Sequence, residues 1–427
     1  MLNTIMFLGL PAALLIIGVP VFLALLLTSI VVAFVNGLPM GGLQVYMFGS
    51  LDNFPLLALP FFVLAGEIMA QGGVARRIVV WIMSMVGNVP GSLGVTTVAA
   101  SEVFGAMTHT AVGTVVAVGR MMHPSLREIR YNEDFAVGLI ASSGAIAVVI
   151  PPSISMIIYA TVAQQSAIAL FTAGILPSLL IGIIDAVYVM VYAKVKKLPR
   201  NTASKPGNFW KTTKEASWSL GTIAVIFGGI YGGVFTPTEA AGVAVVYALV
   251  VTMAIHRVIN FRDLWKILRS TVILVSQVML IVMSAGVYAF LLTTSGIPQD
   301  IVELINGLHF QPWSLLLAIN ILLLVMGSFL EPPAAIVILT PLLLPIVKTI
   351  GMDPIHFGIV LAVNLSIGMY TPPFGLNLLA SQAVLKIDMG AVYRGAIPFV
   401  GLNFLVLLLI TYVPTITLFL LGPGVGR

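Results

Sequence analysis

The sequence predicts an all-α polytopic membrane protein, built as an inverted repeat with two re-entrant hairpins and two helices broken at Pro-Pro pairs. Three observations carry that reading. Apolar runs of 18 or more residues recur from end to end in a chain of 427 residues that is 59% hydrophobic and 8% charged, where a soluble domain is roughly 25% charged. Two of those runs, "SSGAIAVVIPPSISMIIYA" (142–160) and "NLSIGMYTPPFGLNLLA" (364–380), carry adjacent prolines in their middle. Placing Pro151 on Pro372 brings the two halves into register. A transmembrane β-barrel would instead show short alternating strands, which are absent.

Candidate membrane-embedded segments fall at 4–35, 54–71, 75–88, 92–122, 134–165, 168–193, 217–255, 271–295, 312–347, 355–385 and 391–421. The first 75 residues contain no Lys or Arg. The N-terminal run therefore lacks the basic start of a secretory leader and reads as a retained membrane segment. Residues 91–124 are too long for one crossing of about 20 residues, and Thr108-His109-Thr110 sits at their centre. They read as a hairpin with its tip at that cluster. A broken helix follows at about 134–165. Residues 194–216 include seven basic residues and one acid, and the positive-inside rule places them in the cytoplasm. His256, Arg257, Arg262, Lys266 and Arg269 form a second basic cluster, expected on an interfacial helix on the same side. Residues 312–347 repeat the hairpin pattern around Glu331-Pro332-Pro333, and a second broken helix covers about 355–385.

The proline register also places Pro124 on Pro345 and the Thr108–Thr110 tip within a few residues of Ser328–Pro333. The expected organisation is a first repeat over 1–193, a basic linker over 194–216 and a second repeat over 217–427. Proline removes a backbone donor and clashes with the preceding turn, and hydrocarbon supplies no water to the freed carbonyls. Broken helices of inverted repeats characteristically meet near the midplane, where helix ends and unwound carbonyls bind ions and substrate.

Four stretches, "VVIPPSISMIIYA" (148–160), "GGIYGGVFTPTEAAGVAVVYALVV" (228–251), "GMDPIHFGIV" (351–360) and "IGMYTPPFGLNLL" (367–379), resemble the large permease subunit of tripartite ATP-independent periplasmic (TRAP) transporters, the DctM-like family. The resemblance covers nearly the whole chain. It implies a multi-pass secondary transporter of a bacterial or archaeal inner membrane that imports acidic solutes by sodium symport. It also implies a periplasmic substrate-binding protein, a small four-helix membrane subunit and an elevator mechanism. The chain starts at the large-subunit pattern, so the small subunit is expected as a separate polypeptide. Overall likeness leans toward the sialic acid branch (N-acetylneuraminate), with C4-dicarboxylate next. Many members carry Ser-Gly-Ser at the first hairpin tip. Here "MTHTA" (107–111) keeps the hydroxyls and replaces the small residue by His109.

Sodium prefers oxygen ligands, which half-helix C-termini and unwound carbonyls supply. The candidates are Ser101, Gly105, Ser142, Ser143 and Gly144 in the first copy, and Gly327, Asn364, Ser366, Gly368 and Thr371 in the second. Small residues also let membrane helices pack closely; clustering before each proline pair favours ion sites. For an acidic substrate the candidates are Thr108, His109, Thr110, Ser153, Ser155 and Glu331, the last an acid inside an apolar hairpin. Of the other acids near membrane depth, Glu102 beside Ser101 is the best functional candidate. Glu239 after Pro237 reads as a first-turn acid with a structural role.

No enzyme class fits. No phosphate loop or H-E-x-x-H is present, Asp185 stands alone among acids in its segment, and the absence of cysteine excludes thiolate metal sites. The net charge of +5 is not a nucleic-acid signature. An ion or solute channel is the rival reading, since hairpins also line pores.

Overall fold

A computed structural model of the chain describes residues 2–199, 209–307 and 310–422. The middle of the basic linker, 200–208, lies outside the described residues. All described regular structure is helical. The first half runs α1 (Leu2–Ile16), α2 (Val21–Val35), α3 (Met40–Gly49), α4 (Ala58–Gln71), α5 (Val74–Val86), α6 (Ser92–Thr108), α7 (Ala111–Glu128), α8 (Glu133–Ala145), α9 (Ile154–Ala163) and α10 (Ala167–Val195). The second runs α11 (Phe209–Tyr231), α12 (Pro237–Leu249), α13 (Phe261–Thr294), α14 (Ile297–Gly307), α15 (Pro312–Phe329), α16 (Pro332–Thr349), α17 (Pro354–Gly368), α18 (Leu376–Leu385), α19 (Met389–Tyr412) and α20 (Thr415–Leu418). Seven helical segments among the described residues are long and apolar enough to cross a bilayer.

Each break has a local cause. The apolar run at 4–35 divides at Gly18, whose φ of +85° only glycine adopts readily, and at Pro20, which precedes α2. The first hairpin turns where His109 takes a left-handed conformation (φ +56°) as the C-cap of α6, its N–H donating to the Gly105 carbonyl at 2.8 Å. The second hairpin turns through extended Leu330 and Glu331, and Pro332 then opens α16 at a position where its missing N–H costs nothing. The first proline pair follows a 3₁₀ turn at Ile146–Val148 and precedes α9; the second lies between α17 and α18. Both pairs contain a cis peptide bond. Helices α9 and α18 have ten residues each, a rise of about 15 Å or half of a hydrocarbon core of about 30 Å.

The structure corrects one expectation. Arg262, Lys266 and Arg269 sit on the first turns of α13, a single helix of 34 residues that continues into the membrane, rather than on a separate interfacial helix. The side chain of Asn260 accepts from the Asp263 N–H at 2.9 Å and starts this helix, and no Gly or Pro interrupts the run until Gly286. Glu239 behaves as its sequence context indicates: with Thr236 it closes a reciprocal capping box, Oε2 accepting from the Thr236 N–H at 2.8 Å.

The helices fall into two packing groups. α2, α3 and α4 pack around α13, α12 packs on α4 and α11, and α5 packs against α11. The hairpins and broken helices form an inner bundle in which α7 packs on α18 and α16 on α9, so each hairpin's second arm meets the half-helix of the other copy. Helix α17 is buried from Ile355 to Gly368 on every face, as apolar residues all round the helix require.

Candidate functional site

Both broken regions meet at the centre of the inner bundle. The Ser366 hydroxyl on α17 donates to the Ala145 carbonyl at 2.7 Å, where α8 gives way to its 3₁₀ turn. The Asn377 amide on α18 donates to the Ala141 carbonyl at 3.0 Å. Two side chains from the second copy thus satisfy carbonyls of the first.

Beside this crossing lies a cavity of about 200 Å³. His109, Thr110, Ser155, Gln277 and Glu331 supply its polar wall, and Met369 closes one side. Four helices begin at this wall: α7 after Thr110, α9 at Ile154, α16 at Pro332 and α18 at Leu376. A helix N-terminus carries roughly half a positive charge and unsatisfied N–H groups. Four of them border one cavity that has no Lys or Arg among its lining residues, so helix ends rather than basic side chains face the acid Glu331 there. Arrangements of this kind suit an anionic group.

Four of the six residues singled out for substrate therefore share one wall: His109, Thr110, Ser155 and Glu331. Thr108 and Ser153 are turned elsewhere. The Thr108 hydroxyl donates to the Phe104 carbonyl at 3.1 Å and lies 3.3 Å from the Thr114 hydroxyl. The Ser153 hydroxyl donates to the Val148 carbonyl and closes the broken turn before α9. His109 is 5% exposed, and its ring lies against the Pro152 backbone. Phe62 of α4 meets its ring edge-on at a centroid distance of 4.8 Å. Gln277 on α13 was not anticipated; an amide inside the apolar run "TVILVSQVMLIVM" (271–283) was the available signal.

The ion candidates sit toward the C-terminal ends of α6, α8, α15 and α17, with Thr371 just beyond α17. In the first copy Ser101 and Gly105 lie on the last turns of α6, and Ser142, Ser143 and Gly144 on the last turn of α8. The Ser142 hydroxyl donates to the Leu139 carbonyl at 3.1 Å, while the Ser143 oxygen is buried without a partner. Gly105 packs so tightly on Ala147 that an added Cβ would lie 2.8 Å from the Ala147 methyl. In the second copy Gly327 of α15 touches Gly368 of α17 backbone to backbone, at nearly the same proline-pair offset. The Asn364 amide donates to Asn320 Oδ1 at 2.8 Å and to the Val360 carbonyl at 2.9 Å, leaving its own oxygen buried and unpartnered. The Thr371 hydroxyl donates to the Ile367 carbonyl at 2.8 Å and keeps its lone pairs. The free oxygens of Ser143 and Asn364 fit a hard cation, which takes oxygen ligands.

A third polar group lies outside both clusters. Asp185 of α10 is fully buried, and its Oδ1 accepts from the Asn403 amide of α19 at 3.1 Å. The Glu102 carboxylate occupies the space over Gly182 that a side chain there would need, near enough to Asp185 for their charges to interact. Folding pairs two acids that are far apart in sequence.

The chain matches the family described as "Tripartite ATP-independent periplasmic transporter, DctM component" over residues 8–416. Among similar proteins, the C4-dicarboxylate TRAP transporter large permease protein DctM of Pseudomonas aeruginosa is 39% identical over 376 residues, 88% of each chain. The sialic acid TRAP transporter large permease protein SiaM of Vibrio cholerae is 39% identical over 379 residues, again 88% of each. The 2,3-diketo-L-gulonate TRAP transporter large permease protein YiaN of Escherichia coli is 38% identical over 403 residues, covering 93% of this chain and 94% of that one. The crystal structure of the Alcanivorax borkumensis YdaH transporter aligns with a TM-score of 0.64 over 91% of each chain at 13% identity, a likeness of fold.

Proposed function

The chain belongs to the DctM component family of tripartite ATP-independent periplasmic transporters, and from that premise we propose that it is the large membrane subunit of a sodium-coupled importer of an acidic organic solute. It is a multi-pass protein of the bacterial inner membrane. The observation that carries the proposal is the convergence of four helix N-termini, two from hairpin arms and two from the ten-residue halves of broken helices, on one cavity. That wall stabilises a carboxylate by dipoles and N–H groups. Because it offers no fixed cation of its own, a coupling ion would supply the countercharge.

Sodium enters the reading as a co-transported ion. Ser101, Gly105, Ser142, Ser143 and Gly144 would hold one ion at the end of α8, and Gly327, Asn364, Ser366, Gly368 and Thr371 a second at the end of α17. The buried, unpartnered oxygens of Ser143 and Asn364 support this assignment. Because the second-copy side chains of Ser366 and Asn377 bond to first-copy carbonyls, filling either ion site tightens the wall that the substrate meets. Binding linkage makes the effect reciprocal.

For the substrate, sialic acid remains the finer candidate and a C4-dicarboxylate the alternative. Relatives named for both are 39% identical to the chain. Glu331 and Gln277 give the wall acceptors for hydroxyl or amide N–H groups, which a sugar acid carries and a simple dicarboxylate lacks. The inner bundle would move as a unit against the frame around α13, in an elevator motion between copies of inverted topology. A separate small four-helix membrane subunit would brace that frame, and a periplasmic binding protein would deliver the solute.

Proteoliposomes holding the chain and its small subunit, supplied with the periplasmic receptor, test the proposal. Uptake of labelled N-acetylneuraminate should require inward sodium and rise more than linearly with it. Full uptake in potassium-only buffer with a proton gradient would overturn the coupling. Uptake of succinate but not of N-acetylneuraminate would reassign the substrate.

A further inference from the structure

At the junction of α7 with α8, a polar cavity of about 850 Å³ lies against the end of α10. Four exposed cations line it: Arg127, Arg130, Lys196 and Lys197. Its two acids are Glu133 and Asp134, and Asp134 already accepts from Arg394 at 2.9 Å. Arg127 donates to the Tyr131 carbonyl, which fixes its guanidinium without neutralising it. None of the four cations forms an ion pair among the described residues. Four cations face Glu133 and an Asp134 already engaged by Arg394, so the pocket keeps an excess of positive charge.

A second observation starts at the same place and runs into the membrane. Leu179, Ile183, Val187, Val191 and Val195 recur at four-residue spacing on α10, with exposures between 44% and 71%. Successive members of the row are neighbours on adjoining turns, and the row winds slowly around the helix as a continuous exposed ridge. The opposite face, with Ile181, Asp185 and Val189, is buried. The stripe is about 24 Å long at 1.5 Å per residue, enough to run the full depth of one leaflet of about 15 Å, and it ends where Lys196 and Lys197 begin.

We propose that this pocket and stripe form a binding site for an anionic phospholipid. The phosphate and its further negative charge sit among Arg127, Arg130, Lys196 and Lys197, and an acyl chain lies along the aliphatic face of α10. Charge complementarity selects the occupant, because a zwitterionic lipid could follow the stripe but would leave the pocket's charge uncompensated. Basic pockets at the ends of membrane helices recognise anionic headgroups in this way. The site is independent of the transport cavity and does not rest on the substrate assignment.

The test is thermal unfolding of the full-length chain in neutral detergent, titrated with phosphatidylglycerol, phosphatidylcholine or inorganic phosphate. Phosphatidylglycerol should stabilise at lower concentration than phosphatidylcholine, and inorganic phosphate should neither stabilise nor compete. The double variant Lys196→Gln, Lys197→Gln changes exposed side chains beyond the helix end and should unfold normally without lipid. Each surface cation contributes about a fivefold factor to anionic lipid binding, so this variant should weaken phosphatidylglycerol about 30-fold and leave phosphatidylcholine unchanged. Ile183→Ser with Val187→Ser should weaken both lipids. Equal response to the two lipids, equal response to inorganic phosphate, or retained phosphatidylglycerol preference in the lysine variant would overturn the proposal. So would efficient cross-linking of a cysteine at position 187 to a co-expressed small membrane subunit.

Discussion

Replacing Gly368 by alanine should separate the second hairpin from the second broken helix. A Cβ at this position would lie 2.5 Å from the carbonyl carbon of Gly327, 2.6 Å from its Cα and 2.9 Å from its oxygen. All three are backbone atoms, so no rotamer change relieves the clash. Ordinary contact requires α15 and α17 to part by about 1 Å, and forcing extra volume into a packed core costs about 1–3 kcal/mol. The same substitution at Gly401 on α19 or Gly242 on α12, where an added Cβ meets nothing within 4 Å, should stabilise by about 0.5–1 kcal/mol, since alanine loses less backbone freedom in a helix. Thermal unfolding in detergent separates these signs. Measured across sodium concentrations, it also tests the ion site. A ligand that binds only the folded state adds about 1.4 kcal/mol per tenfold rise above its Kd, so the wild-type transition should climb with sodium and the Gly368→Ala transition should stay nearly flat. If Gly368→Ala unfolded like the wild type and kept its sodium dependence, the contact would not organise an ion site.

Thr371→Ala should raise the sodium needed for half-maximal uptake about tenfold or more, given ~1.5–3 kcal/mol for a bond to a charged group; a sodium titration of uptake at saturating substrate reads it. Gln277→Ala and Ser155→Ala should raise the substrate concentration for half-maximal uptake at saturating sodium, and unchanged values in both would remove the cavity beside the first hairpin from the pathway. Asn403→Ala removes the amide that donates to Asp185 and should destabilise the chain by about 1–3 kcal/mol in denaturation, whereas Val112→Ala, at a partly exposed position, should cost less.

The features that were legible in the sequence are those enforced by local chemistry. Proline removes a donor wherever it stands, so the second hairpin tip and both broken helices appear in the alternation of apolar runs with Glu-Pro-Pro and Pro-Pro, while the first tip shows as the polar Thr108-His109-Thr110 cluster in an apolar run. Positions set by three-dimensional packing were less legible. Thr108 and Ser153 carry hydroxyls at the right places along the chain, yet each turns to a nearby carbonyl, a choice that rotamer and neighbouring backbone make after the helices have packed. Gln277 contributes to the cavity from a helix outside both hairpins and both broken helices, and only the crossing of α13 over α16 brings it there. Asp185 shows the same dependence on packing. Its segment holds no second acid, but Gly182 one turn earlier makes room for Glu102 from another helix, so the signal was a glycine and not a charge. Arg262 and Lys266 failed for the converse reason: a basic cluster marks the membrane surface but does not say where a helix ends, and Asn260 starts α13 ahead of both. A break in a membrane helix can thus be read from residues that cannot be helical. The wall it builds depends on which other break it meets, and here the Ser366 and Asn377 bonds across the two copies make that meeting specific.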